Sequence, residues 1–257
     1  MVARRSLLQS AALCMLPVAS QGAEQRLLRF VFSRPQHDPR SQWLIRLYTD
    51  ACARLGLQFE FVEVPAKRAT AMVESGEVDG ELGRTLAYQQ LHPQLHRVEE
   101  ANNAVNFCVY GLATAAPFVD MAQVRWQGLR CETRRGIQEM EAFLEQQLGR
   151  AHSSEIGEVW QGIRKLQLRR TDLYFDVQEA VDDYLRFAGC GQRPLAQPQV
   201  KLLATIATTS GHCYLNRKHA SLAPRLADAL AQLKLDGTSA RYLGEELNRY
   251  AQQCGQR

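Results

Sequence analysis

The chain has 257 residues, with 31 basic and 27 acidic side chains and 46% hydrophobic residues. So small a charge excess gives no reason to invoke nucleic acid or an acidic membrane surface as a partner. The length permits one large domain or two small lobes, each with a core of its own. At the start, "MVARRSLLQSAALCMLPVASQGAEQ" carries a basic pair, Arg4 and Arg5, and then an apolar run from Leu7 to Ala19. That run is too short to span a bilayer, and small residues near Ser20 and Gly22 offer cleavage points, so residues 1–23 read as a secretory signal. The bulky Leu13 before Cys14 argues against a lipid anchor. Removing residues 1–23 takes two arginines and no acid, leaving 29 basic residues against 27 acidic ones. Six cysteines remain: Cys52, Cys108, Cys131, Cys190, Cys213 and Cys254. An even number in an oxidising compartment makes one to three disulfides an expectation, with 15 possible pairings of all six. No C-x-x-C occurs, which speaks against a zinc site or a thioredoxin-like redox pair.

In chain order, "RLLRFVFS" (26–33) reads as a strand, and "RPQHDPRSQ" as a polar loop. Leu44, Leu47, Tyr48, Ala51, Cys52 and Leu55 then fall at helical spacing, with Gly56 as the stop. "LQFEFVEV" (57–64) is a second strand. Pro65 opens a helix to Gly76, and "VDGEL" (78–82) is a third strand. This β-α-β-α-β alternation with short connections predicts a parallel sheet covered by helices. Strands are expected again at 105–114, within "LRCETRRG", in "TDLYFD" and at 199–208. Helices are expected at 137–148, 156–166, after Asp176, at 222–235 and at 240–254.

In open sheets of this kind ligands gather beyond the carboxyl ends of the strands. Gly83, Arg84 and Thr85 are expected there, just past the third strand. Arg84 could meet a carboxylate in a charge-assisted pair, or could instead pair with Glu81 inside the protein. Arg68 can reach the same region, with a solvated helix face as the plainer alternative. Thr133, Arg134 and Gly136 precede a helix whose free N–H groups suit an anion. Asp176 ends a strand and could equally cap the next helix. Trp43 and Tyr88 could stack on a ligand or simply pack. His92 and His96, four apart, have metal-binding spacing, but Pro93 and the want of a third ligand favour coincidence. No metal or other cofactor is expected.

"HCYLNRKHASLAPRLADALAQLKLDGTSARYLGEEL" (212–247) resembles the C-terminal end of periplasmic solute-binding proteins of polar amino-acid type, the third family of bacterial extracellular solute-binding proteins. Lys218, His219, Leu222, Leu230, Leu233, Asp236 and Gly237 carry the pattern. "ARLGLQFEFVEVP", "SGEVDGEL", "GLRCETRRG" and "RTDLYFD" match further segments in the family's order. The resemblance implies an α/β fold of type II, with two lobes joined by crossing strands that close over a small ligand. Lobe I would comprise 24–112 plus 209–257, and lobe II 113–208. It further implies a periplasmic, monomeric receptor of a Gram-negative bacterium, handing a small carboxylate-bearing, amino-acid-like solute to the membrane permease of an ABC importer. A stand-alone module acting on a membrane sensor is the alternative. A dehydratase on the same scaffold, with Glu81 or Asp176 as general acid, is a third reading. The family's T-x-x-R, whose arginine grips the ligand's α-carboxylate, has no counterpart in "RTLAYQQLHPQLHRV", and Asp176 stands one residue short of the usual acid.

Overall fold

A computed structural model of the chain describes residues 26–32, 34–114, 121–149, 153–187 and 199–255. The expected signal peptide, Cys14 and Cys190 lie outside them. The strands are β1 (Leu27–Phe32), β2 (Gln58–Glu63), β3 (Gly80–Arg84), β4 (His96–Arg97), β5 (Asn103–Leu112), β6 (Cys131–Arg134), β7 (Ser153–Ile156), β8 (Leu173–Val177) and β9 (Val200–Leu215). The helices are α1 (Pro39–Arg54), α2 (Ala66–Ser75), α3 (Tyr88–Leu91), α4 (Gln138–Leu148), α5 (Val159–Gln167), α6 (Gln178–Phe187), α7 (Ala223–Leu235) and α8 (Thr238–Gly255).

The strand order is β2-β1-β3-β9-β5-β8-β6-β7, with β4 also paired to β9. In the first half β1 lies parallel to both β2 and β3. In the second, β6 lies parallel to both β7 and β8. Between them β5 and β9 run antiparallel to each other over residues 103–112 and 200–211, while residues 212–215 of β9 pair with β3. One 16-residue strand thus belongs to both halves.

Burial on both faces explains the near-continuous apolar character of these strands. Leu28, Phe30 and Phe32 of β1 face a core with α1, α7 and α8. Val31 points the other way, toward Ala69, Met72 and Val73 of α2. In the second half Val105, Phe107, Val109, Leu173 and Phe175 pack on Met140 and Leu144 of α4. The alternate residues Cys108, Tyr110 and Tyr174 pack on Ile163, Leu166 and Val181 of α5 and α6. The period-2 alternation of side chains therefore builds two cores per half, one on each side of the sheet.

Three expectations need correction. The third strand runs from Gly80 to Arg84, so Gly83 and Arg84 lie in it rather than beyond it. Residues 153–156, partly assigned to a helix from 156, form the edge strand β7, and α5 begins only at Val159. The polar loop is shorter than expected, because Asp38 accepts hydrogen bonds from the backbone N–H groups of Arg40 and Ser41 and starts α1 at Pro39. Cys52, Cys108, Cys131 and Cys213 are free, buried thiols, which rules out three disulfides, and Cys254 is disulfide-bonded. Burial pushes the thiols of Cys52 and Cys131 up to about 12.

The motif segments around Asp79 and Lys218 meet in space. Asp79 accepts from the backbone N–H of Arg29 at 2.8 Å, and its Oδ1 lies 2.6 Å from Nε2 of His219 and 2.9 Å from Nζ of Lys218. Burial disfavours the charge, but the Arg29 N–H, Lys218 and His219 outweigh it and hold the carboxyl below its usual range. A depressed folded pKa contributes stability above the ordinary value of 3.8, and that contribution vanishes as pH falls through the folded value. Asp79→Asn is therefore expected to cost roughly 1.5–3 kcal/mol at neutral pH. Urea unfolding followed down to acid pH checks this: the gap between variant and parent should close below pH 4 (~) as the parent's carboxylate protonates.

Candidate functional site

The parallel strands β1, β3, β6 and β8 all end at one crevice between the two halves. A cavity of about 150 Å³ opens there, lined from the first half by Phe32, Arg34, Arg40, Trp43, Arg84, Thr85 and Tyr88. From the second half come Arg134, Arg135, Gly136, Gln138, Glu139, Val177 and Glu179. Asn103, Val105 and Phe107 of β5 also line it.

Arg84 owes its direction to an irregularity. The β3–β9 register shifts between Glu81 and Arg84, and Gly83 sits at φ 73°. In a regular strand, residues three apart face opposite sides, but an extra residue brings them to the same side. Glu81 and Arg84 accordingly meet, with Nε 2.7 Å and Nη2 2.5 Å from Oε1. A side chain at position 83 would be strained at this φ, and its Cβ would come within 2.4 Å of the Phe32 ring. Glu81 is fully buried, and its other oxygen accepts from the Tyr88 hydroxyl at 2.8 Å and from the Thr70 hydroxyl at 3.2 Å. Burial, and next the Glu81 charge, raise the Tyr88 phenol well above its usual range, so it stays a donor.

A second pair faces this one. Thr133 and Phe175 are register partners in parallel strands, so Arg134 and Asp176 follow side by side at the strand ends. Arg134 holds Asp176 through Nε and Nη2 at 2.8–3.2 Å. Asp176 is fully buried and also accepts from the Tyr174 hydroxyl and the Val177 backbone N–H. Burial works against the charge of Arg134, but Asp176 more than compensates and raises its pKa.

Of the nine residues singled out in the sequence, Trp43, Arg84, Tyr88, Arg134 and Gly136 line the cavity. Glu81 and Asp176 stand one layer behind, as partners of the two arginines. The Thr133 hydroxyl donates to the Phe175 carbonyl inside the sheet. The N–H of Gly136, read as an anion contact, already donates to Glu141 at 2.6 Å. Trp43 lines the cavity while its Nε1 donates to the Ser239 carbonyl. Arg68 is exposed and does not line the cavity. His92 meets Glu74, and no group of metal-ligating side chains occurs among the described residues.

Sequence reasoning missed Arg34, Arg40, Glu139 and Glu179. The first two sat in a stretch read as loop, although Asp38-Pro39 is a helix-start signal. The other two sit in the first turns of α4 and α6, where acids are commonplace. Contacts between the halves among the described residues include Arg40 to Asp183 at 2.5 and 3.1 Å, the Thr85 hydroxyl to Glu139, and the ring of Phe187 on that of Tyr250.

This geometry, two α/β lobes walling a cavity at their strand ends, is that of the periplasmic solute-binding proteins. A histidine kinase sensor domain with similarity to periplasmic binding proteins superposes with a TM-score of 0.71 at 15% identity, covering 87% of this chain and 96% of that one. A probable amino-acid ABC transporter extracellular-binding protein from Bacillus subtilis gives 0.65 at 14% identity, with coverage of 87% and 99%. No protein-family profile matches the chain. An uncharacterized protein of Shewanella oneidensis is 30% identical over 219 residues, 82% of this chain and 78% of its own length. The chain belongs to one family with that protein, and it shares the two-lobed fold of these solved structures.

Removing Arg134 would strand a buried carboxylate, a loss of about 3–5 kcal/mol. Arg134→Met is expected to lose that much in urea unfolding, while Arg134→Met with Asp176→Asn keeps the Tyr174 and Val177 bonds and recovers most of it. Additive costs in that double-mutant cycle would show that the two side chains do not act as a pair.

Proposed function

We propose that this protein is an exported solute receptor that captures one small polar, amino-acid-like solute between its lobes and presents it to the permease of an ABC importer. The observation that carries this reading is the interlobe cavity, walled by arginines from both halves at the carboxyl ends of the strands. At about 10–15 Å³ per water-sized group, its volume suits on the order of ten non-hydrogen atoms, the scale of a single amino acid. A guanidinium has five N–H donors; Arg84 directs Nε and Nη2 at Glu81, which leaves donors for a solute carboxylate. The solute would bridge both walls and hold the lobes closed, and the closed shape is what a membrane partner reads. The fold's neighbours include a binding protein of amino-acid transport, which supports the solute class. The proposed lobe limits are 24–112 with 209–257, and 113–208. The signal at 1–23 would deliver the chain to the periplasm. No helix among the described residues is long and apolar enough to cross a membrane.

A receptor acting in trans on a membrane sensor is the second reading, favoured by the likeness to a histidine kinase sensor domain. The dehydratase reading has less support, because the acids it would use, Glu81 and Asp176, are buried in ion pairs.

A thermal-shift screen of amino acids and small carboxylates on the purified mature chain tests the receptor reading, since any tight ligand raises the melting temperature by mass action. The charge-balanced variant Arg84→Met with Glu81→Gln should fold and bind the hit at least ~10-fold more weakly, equivalent to about 1.4 kcal/mol. Unchanged affinity in that variant would remove Arg84 from the site.

A further inference from the structure

The second half carries another cavity at the opposite ends of its parallel strands. It measures about 800 Å³, opens where β6, β7 and β8 begin, and shares no lining residue with the crevice. Trp126, Gln127, Glu132, Gln147, Lys165 and Arg170 stand in its wall.

Glu132 sets this cavity apart. Five acids are buried among the described residues: Asp79, Glu81, Glu132, Asp176 and Glu246. In the other four both carboxylate oxygens are hydrogen-bonded. Glu132, only 3% exposed, is the exception. Its Oε1 accepts from the Ser154 hydroxyl at 2.7 Å and from Lys165, while Oε2 is buried with no partner. Buried acceptors are almost always met, and leaving one unmet costs more than an average hydrogen bond gains. Whatever meets Oε2 enters from the cavity that Glu132 lines.

The chemistry of the wall narrows the occupant. Lys165 already balances the charge of Glu132, and Arg170 is exposed and has no ion pair among the described residues. A further ammonium at Oε2 would be repelled by both cations, so a neutral donor, a hydroxyl, fits better. Arg170 in turn offers its N–H donors to an anion, whereas Arg130 is taken by Asp172. Trp126 packs on Phe143 and Phe175, yet it is only half-buried and gives the wall an apolar ring surface. The amides of Gln127 and Gln147 each donate and accept, as hydroxyl groups do. Hydroxyls, a negative charge and an apolar ring face occur together in an acidic sugar.

We propose that this cavity is a second binding site, for an acidic saccharide. The sugar ring lies on Trp126, a hydroxyl donates to Oε2 of Glu132, and a carboxylate or phosphate on the sugar pairs with Arg170. The site is separate from the crevice and does not depend on what the crevice binds.

Matched probes read each contact. D-glucuronate and D-galacturonate are titrated into the mature chain by calorimetry and by quenching of tryptophan fluorescence. The controls are D-glucose and D-galactose, which lack the charge, and hexanoate, which lacks the hydroxyls. The sugar acids should bind at least tenfold more tightly than any control. Arg170→Met, at an exposed position, should lower them to the level of the neutral sugars. Glu132→Gln replaces a charged acceptor with an amide and should weaken both kinds of sugar. The quench should disappear in Trp126→Phe, which keeps an aromatic face. Oligogalacturonate separates two sources of the sugar: tighter binding than the monomer assigns a glycan chain, and equal or weaker binding a free sugar acid. The proposal falls if no sugar acid binds the parent, if hexanoate binds as well as they do, or if Arg170→Met binds as the parent does. The crevice variant Arg84→Met with Glu81→Gln should keep its sugar binding, and a loss there would move the sugar to the crevice and overturn the second site. Failure of any of these tests leaves the receptor reading standing, because capture of an amino acid in the crevice should be indifferent to Arg170→Met.

Discussion

The two halves of this molecule are not separate beads on a string, because β9 is hydrogen-bonded into both. Its last four residues pair with β3 and the preceding twelve with β5. That single constraint fixes where the halves can part. Every parallel strand starts on an outer side and ends at the seam, so the strand ends, with their turn residues and helix starts, are gathered around one crevice. The cavity is a product of topology before any particular side chain is considered. Hinge motion about such crossing strands needs only modest backbone rotations, since the sheets on either side move as packed units.

Within the crevice, charge is arranged in closed pairs. In each half one guanidinium of the cavity wall is backed by a fully buried carboxylate, Arg84 by Glu81 and Arg134 by Asp176. A phenol donates to each carboxylate, Tyr88 from α3 to Glu81 and Tyr174 from within β8 to Asp176. Two unrelated local structures, a bulged strand and a pair of parallel strand ends, arrive at the same arrangement. The carboxylates fix the guanidinium planes and reduce the positive field, so the cavity is polar without being strongly cationic.

Much of the frame was legible in the sequence, because it is written in periodicity and punctuation. The apolar runs of β1 and β8, the helical spacing from Leu44 to Leu55 and the stops at Gly56 and Gly76 all read correctly. What failed was local and had physical causes. "SSEI" is too short and polar to announce a strand, and it is one only because β6 offers a parallel edge. The strand expected to end at Thr208 continues through Thr209, Ser210 and Gly211 because β5 pairs with them. Of the site, the arginines at the strand ends were visible as residues and Glu81 was already a candidate partner for Arg84, while the pairing of Arg134 with Asp176 depends on a register that no spacing rule reveals. Arg40 and Glu179 were hidden in segments whose composition is typical of any helix start.

The irregularity at Gly83 ties the site to one backbone conformation rather than to charge alone. A regular pleat over the same four residues would instead put the guanidinium on the far face of the sheet, because residues three apart in an unbulged strand point opposite ways. The buried glutamate would then stay where it is with no cation to meet it. Homologues can be sorted on this basis. Those that keep the glycine of E-x-G-R keep the residue that the bulge requires, and those that replace it at the same spacing have a differently built crevice even where the surrounding sequence still aligns.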